Sequence, residues 1–87
     1  MDIKAYRSEI DKIDGELAAL FCRRMEIAAE IGAYKRERGL SVRDEARENQ
    51  LVEALCGRHP QHARELRELY RTLLALSRAA QGEAEDA

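Results

Sequence analysis

Polar side chains interrupt the apolar rows of this sequence at three separate places. In "LAALFCRRMEIAAEIGAYK", apolar residues recur at Leu17, Leu20, Ile27, Ile31 and Tyr34, alternating three and four, and the missing member is Arg24. The row Leu51, Val52, Leu55 extends one turn back to Glu48, and the row Tyr70, Leu74 continues to Ser77 and Gln81. Lys35 ends the first stretch beside Tyr34, and Asp44 and Arg47 precede Glu48. Each intruder alone has a plain explanation. A seam arginine can reach out to water, one polar core residue can fix helix register, and Ser77 and Gln81 can belong to a fraying helix end. Several together on inward stripes favour a polar cavity between helices. Burying the cations Arg24, Lys35 and Arg47 unpaired is costly, and Asp44 and Glu48 offset part of the charge. The remainder suits a small anion with more than one carboxylate, because arginine grips carboxylates through two parallel hydrogen bonds.

The elements that must carry these residues are helices. Ile3, Tyr6, Ile10, Ile13, Leu17, Leu20, position 24, Ile27, Ile31 and Tyr34 form one heptad seam. Gly15 and Gly32 weaken it by about 1 kcal/mol each relative to alanine, and Gly39 is the first good stop. The spacing predicts a first helix from about residue 2 to about residue 38. A second follows "GLSVRD", capped by Ser41 or Asp44, and stops at Cys56-Gly57 before Pro60. A third starts near Gln61, carries Leu66, Leu69, Tyr70, Leu73, Leu74 and Leu76, and fades at "QGEAEDA". Residues 1–81 read as one domain and residues 82–87 as an acidic flexible tail.

A first helix of that length spans about 55 Å, whereas a compact monomer of this size is roughly 30 Å across. Two shorter helices cannot cover such a seam, so the expectation is an all-α chain of three helices in an intertwined antiparallel homodimer. A four-helix monomer broken near Gly15 and a parallel coiled coil rank below it. In the antiparallel pair, with its two-fold axis near residue 21, Arg7 of one chain comes level with Lys35 of the other. On a single helix the two lie about 42 Å apart and cannot share a ligand.

Composition narrows the function classes. Of 87 residues, 45% are hydrophobic and 37% charged, with one proline, so a folded helical domain is expected. The net charge is −2 and no basic block stands out, which argues against a nucleic-acid partner. No apolar run approaches the roughly 18 residues of a membrane helix. With charges throughout residues 1–16, the expectation is a chain without a signal peptide and a cytoplasmic location. Cys22 and Cys56 have no metal or redox spacing. No Ser–His or Cys–His arrangement has a credible context, and His59 and His62 sit near the second helix break.

Arg7 with "EIDKIDGEL", then "RRMEIAAEIGAYK", "VRDEARE" and the terminal Ser77…Gln81 resembles the all-helical chorismate mutases across residues 3–81. The "VRD" turn followed by an arginine and a glutamate is the most telling part. The resemblance implies two intertwined three-helix chains with two active sites, no cofactor and no metal. It implies rearrangement of chorismate to prephenate, on the route to phenylalanine and tyrosine. Arg24 and Arg7 from the partner would clamp the two carboxylates. Lys35 and Gln81 would donate to the ether oxygen, Glu48 and the Asp44 region would receive the ring hydroxyl, and Arg47 and Ser77 would complete the polar wall. Isochorismate–pyruvate lyases share the fold and the carboxylate-binding arginines but usually differ in the loop where this chain has "SVRD". The lyase and a non-enzymatic helical dimerisation module are the alternatives.

Overall fold

The computed structural model describes residues 2–82; the expected tail beyond Gly82 lies outside them. The chain forms three helices in the order α1 (Ile3–Glu37), α2 (Glu45–Arg58) and α3 (Ala63–Ala80), with a single 3-10 turn at Pro60–His62 before α3. No strand occurs among the described residues.

α1 is continuous over 35 residues, and Gly15 does not break it. Asp2 caps its start by accepting from the Ala5 N–H at 2.9 Å. Its end is a Schellman motif: Leu40 N–H reaches Lys35 C=O at 2.9 Å, Gly39 N–H reaches Arg36 C=O at 3.3 Å, and Gly39 takes φ +66°. The stop expected at Gly39 is therefore made by backbone that a side chain would strain.

Of the two caps open for α2, Asp44 is the one used, accepting from the Arg47 N–H at 3.0 Å. α2 runs on through Gly57 to Arg58, past the expected stop. Gly57 does not take a positive φ, so it ends nothing, and the chain turns only where Pro60 opens the 3-10 turn. α3 consequently begins two residues later than the spacing suggests.

α3 joins the molecule together. It packs on α1 and on α2, whereas no Cα of α1 comes within 8 Å of α2. Arg67 of α3 holds Glu53 of α2 at 2.7 Å, and this hydrogen bond keeps the Glu53 carboxyl below its ordinary pKa. The pair is exposed and contributes little to stability. The Cys56 thiol donates to the Ala63 carbonyl at 3.4 Å, fixing the end of α2 to the start of α3.

The core of the single chain is small. Ala28 and Cys56 are the buried apolar residues among those described, joined by Gly32 and Ser77. Every residue from 6 to 20 is exposed. The seam from Ile3 to Tyr34, Arg24 aside, is between 41% and 64% exposed. The molecule is 54 Å long, with a radius of gyration of 16.0 Å against the roughly 12 Å of a compact chain of this length. Its accessible surface is 7159 Å², and a folded monomer of the same mass exposes about 5,200 Å². The seam that α2 and α3 were too short to cover is left uncovered.

Candidate active site

Because the backbones of α1 and α2 stay more than 8 Å apart, a gap remains between them above α3. It is a cavity of about 280 Å³, near the lower limit for small-molecule sites. Arg24, Ile27, Ala28, Ile31 and Lys35 of α1 form one wall. Asp44, Arg47, Glu48 and Leu51 form the second, Val42 closes the loop side, and Leu74, Ser77 and Gln81 of α3 complete the lining. Seven of the eight residues singled out from the sequence meet here. The eighth, Arg7, lies on the exposed N-terminal half of α1, about 42 Å along the helix from Lys35, and does not line the cavity.

Two polar arrangements shape the interior. At the first, Lys35 Nζ donates to Val42 C=O at 2.7 Å and to Gln81 Oε1 at 3.1 Å. An ammonium has three N–H groups, so one remains for a ligand. With its oxygen engaged by Lys35, the Gln81 amide can turn its NH₂ toward a ligand as well. The Gln81 backbone is held separately, since Arg36 Nη1 donates to its carbonyl at 2.9 Å. Gly32 allows the approach. A Cβ there would lie 2.6 Å from Gln81 Cα and 2.7 Å from its carbonyl carbon. Gln81 is therefore a held residue and not part of a fraying end, and Ser77 one turn earlier is only 6% exposed.

At the second, Arg78 Nη1 donates to Glu48 Oε1 at 2.7 Å, with each side chain 18% exposed. Glu48 is expected to offset part of the positive charge of the cavity. Arg78 of α3 also engages that carboxylate. Arg78 carries a usable signal, since it stands four residues after Leu74 and so on the same stripe. The roles of Gly32, Arg36 and the Val42 carbonyl depend on how α3 and the loop close on α1, which no spacing encodes. Among the described residues the Arg24 and Arg47 guanidiniums have no carboxylate partner. Counting Arg24, Lys35, Arg47 and Arg78 against Asp44 and Glu48, the site is net positive by about two charges.

Chemically, such a pocket is suited to a small polyanion seated against the apolar walls of Ile27, Ile31, Leu51 and Leu74, with N–H donors at one corner. It offers no activated nucleophile. Among the described residues no cluster of three or more His, Cys, Asp or Glu side chains is placed to hold a metal ion. No helix of the described chain is long and apolar enough to cross a membrane.

Comparison with known proteins gives the arrangement a family. The T-protein of Haemophilus influenzae is 38% identical over 52 residues, covering 60% of this chain; the match spans only 14% of that relative's length. A solved structure of a conserved hypothetical protein from Pyrococcus furiosus superposes with a TM-score of 0.75 at 35% identity, covering 91% of this chain and 93% of that one. The family model for chorismate mutase type II matches residues 6–82. That span holds α2, α3, α1 from Tyr6 onward and every residue lining the cavity, and the chain belongs to the chorismate mutase type II family.

Proposed function

We propose that this protein is a chorismate mutase acting as an antiparallel homodimer, with each site built in the three-helix cavity of one chain and completed by Arg7 of the other. The observation that carries the reading is the meeting of Arg24, Lys35, Asp44, Arg47, Glu48, Ser77 and Gln81 around one small cavity. Two further observations support the dimer. The exposed seam needs an apolar partner, and the surface exceeds that of a compact monomer by about 2,000 Å², of the order that one chain buries in a large obligate interface. Arg7 and Lys35 share a flank of the heptad, 28 positions apart. An antiparallel partner thus brings the missing cation to the cavity.

The reaction moves no atoms on or off the substrate. The ether C–O bond breaks as a C–C bond forms, so neither nucleophile nor general base is needed. The protein must hold the compact conformer and stabilise the negative charge that grows on the ether oxygen. Arg24 and the partner's Arg7 clamp the two carboxylates through bidentate contacts. The remaining N–H of Lys35 and the Gln81 amide converge on the ether oxygen. Each such donor typically accounts for 10²–10³ in rate. Glu48, with the Asp44 turn beside it, accepts from the ring hydroxyl, while Arg47 and Ser77 close the polar wall. Arg24 thereby gives up seam packing worth about 2–5 kcal/mol for a leucine in order to hold substrate.

The test is loss of chorismate with identification of the product. Prephenate is expected. Release of pyruvate from isochorismate in its place would assign the chain to the lyases, and no turnover of either would leave a dimerisation module.

A further inference from the structure

We propose that Arg78 is a positioning residue of this site, acting on substrate only through Glu48. The inference rests on the reading of Glu48 as acceptor of the substrate hydroxyl. Arg78 does not line the cavity, whereas Glu48 does. Their contact is 2.7 Å and both side chains are mostly sheltered from water, at 18% exposure each. It is a charge-assisted bond between neighbouring helices, the kind that holds a fixed geometry. A glutamate has three rotatable bonds and two equivalent oxygens. Arg78 engages Oε1 from the α3 side, which leaves Oε2 as the carboxylate's acceptor for a ligand in the cavity that Glu48 lines.

The charges around this pair make the placement meaningful. Glu48 looks into a cavity that also holds Arg24, Lys35 and Arg47. Without Arg78, its carboxylate is drawn across the cavity toward those cations, where it competes with the substrate's own carboxylates. With Arg78 behind it, Glu48 stays on the α2 wall and the cavity cations stay available. Arg78 thus separates an acceptor corner from a carboxylate-binding corner. That separation discriminates in favour of a ring bearing a hydroxyl.

The competing view is that the pair only fastens α2 to α3. A double-mutant cycle on the intact protein separates the two, using Arg78→Met, Glu48→Gln and the double variant, with dimer mass checked for each. Arg78→Met keeps the stem and removes the charge. Its kcat/KM for chorismate should fall about ten-fold in the wild-type background and less than two-fold in the Glu48→Gln background. With a chorismate analogue lacking the ring hydroxyl, Arg78→Met and wild type should react alike. Arg78→Lys should recover part of the loss, and it reads the same coupling should Arg78→Met not fold. An undiminished loss in the Glu48→Gln background, or the same loss with the dehydroxy analogue, overturns the positioning role while the mutase assignment stands. A wild-type protein that turns over no chorismate overturns both.

Discussion

Gly32→Ala should damage catalysis without damaging the fold. In a helix interior, alanine is favoured over glycine by about 1 kcal/mol, so α1 itself gains. The added Cβ, however, would stand 2.6 Å from Gln81 Cα and 2.7 Å from its carbonyl carbon, where ordinary contact is 3.4–4 Å. Both obstacles are backbone, so the end of α3 must retreat by roughly 1 Å. That displacement stretches the 3.1 Å contact from Lys35 to Gln81 Oε1 and the 2.9 Å contact from Arg36 to the Gln81 carbonyl. Two whole hydrogen bonds are worth about 1–3 kcal/mol; weakening them costs a fraction of that, which the helix gain of about 1 kcal/mol offsets. A donor misplaced by about 1 Å can cost 10²-fold in rate. The expected result is a kcat ten- to a hundred-fold lower, measured by chorismate loss, with an unfolding midpoint in urea close to wild type. Gly15→Ala is the control, since a Cβ there meets nothing within 4 Å in the chain; it should raise stability by about 1 kcal/mol and leave kcat unchanged. A Gly32→Ala protein with wild-type kcat would show that the α3 end adjusts freely and that Gln81 is not held for catalysis.

Two other expectations follow from the same geometry. Light scattering should give about twice the 9.9 kDa chain mass. Leu17→Glu, which puts a charge in the exposed seam, should shift that mass toward one chain, and an unchanged mass would remove the seam from the interface. Gln81→Glu should be weak at neutral pH and gain activity toward pH 5. A carboxylate beside Lys35 is ionised at neutral pH and cannot donate, and its reference pKa is about 4.3. Rate–pH profiles of the two proteins that superimpose between about pH 4.5 and 8 would take Gln81 out of the site.

Where the sequence was legible, periodicity made it so. Arg24 stood out because the heptad on either side of it is regular, and Ser77 and Gln81 because they continue the spacing of Tyr70 and Leu74. Those residues line the cavity together with Lys35, Asp44, Arg47 and Glu48. What escaped depends on contacts between elements. Gly15 and Gly32 look equivalent along the chain, both as weak points of one helix. Only the packing of α3 separates them, leaving one in open space and the other under the Gln81 backbone. Arg78 is one of four arginines on α3, with Arg64, Arg67 and Arg71, and which of them finds a half-buried carboxylate is decided by where α2 lies. The sequence suggests an early end to α2 because Gly57 has the look of a cap, whereas the backbone there remains helical through to Arg58.

If two chains share each site, subunit complementation will show it. Arg7→Ala and Arg24→Ala homodimers should each be nearly inactive toward chorismate. Mixed in equal amounts and allowed to exchange, half the molecules become mixed dimers, and in each of these one of two sites keeps both arginines. Activity should therefore recover to about a quarter of the wild-type value. No recovery, once exchange has been verified by mass, would mean that Arg7 and Arg24 do not meet across an interface, and would contradict the account.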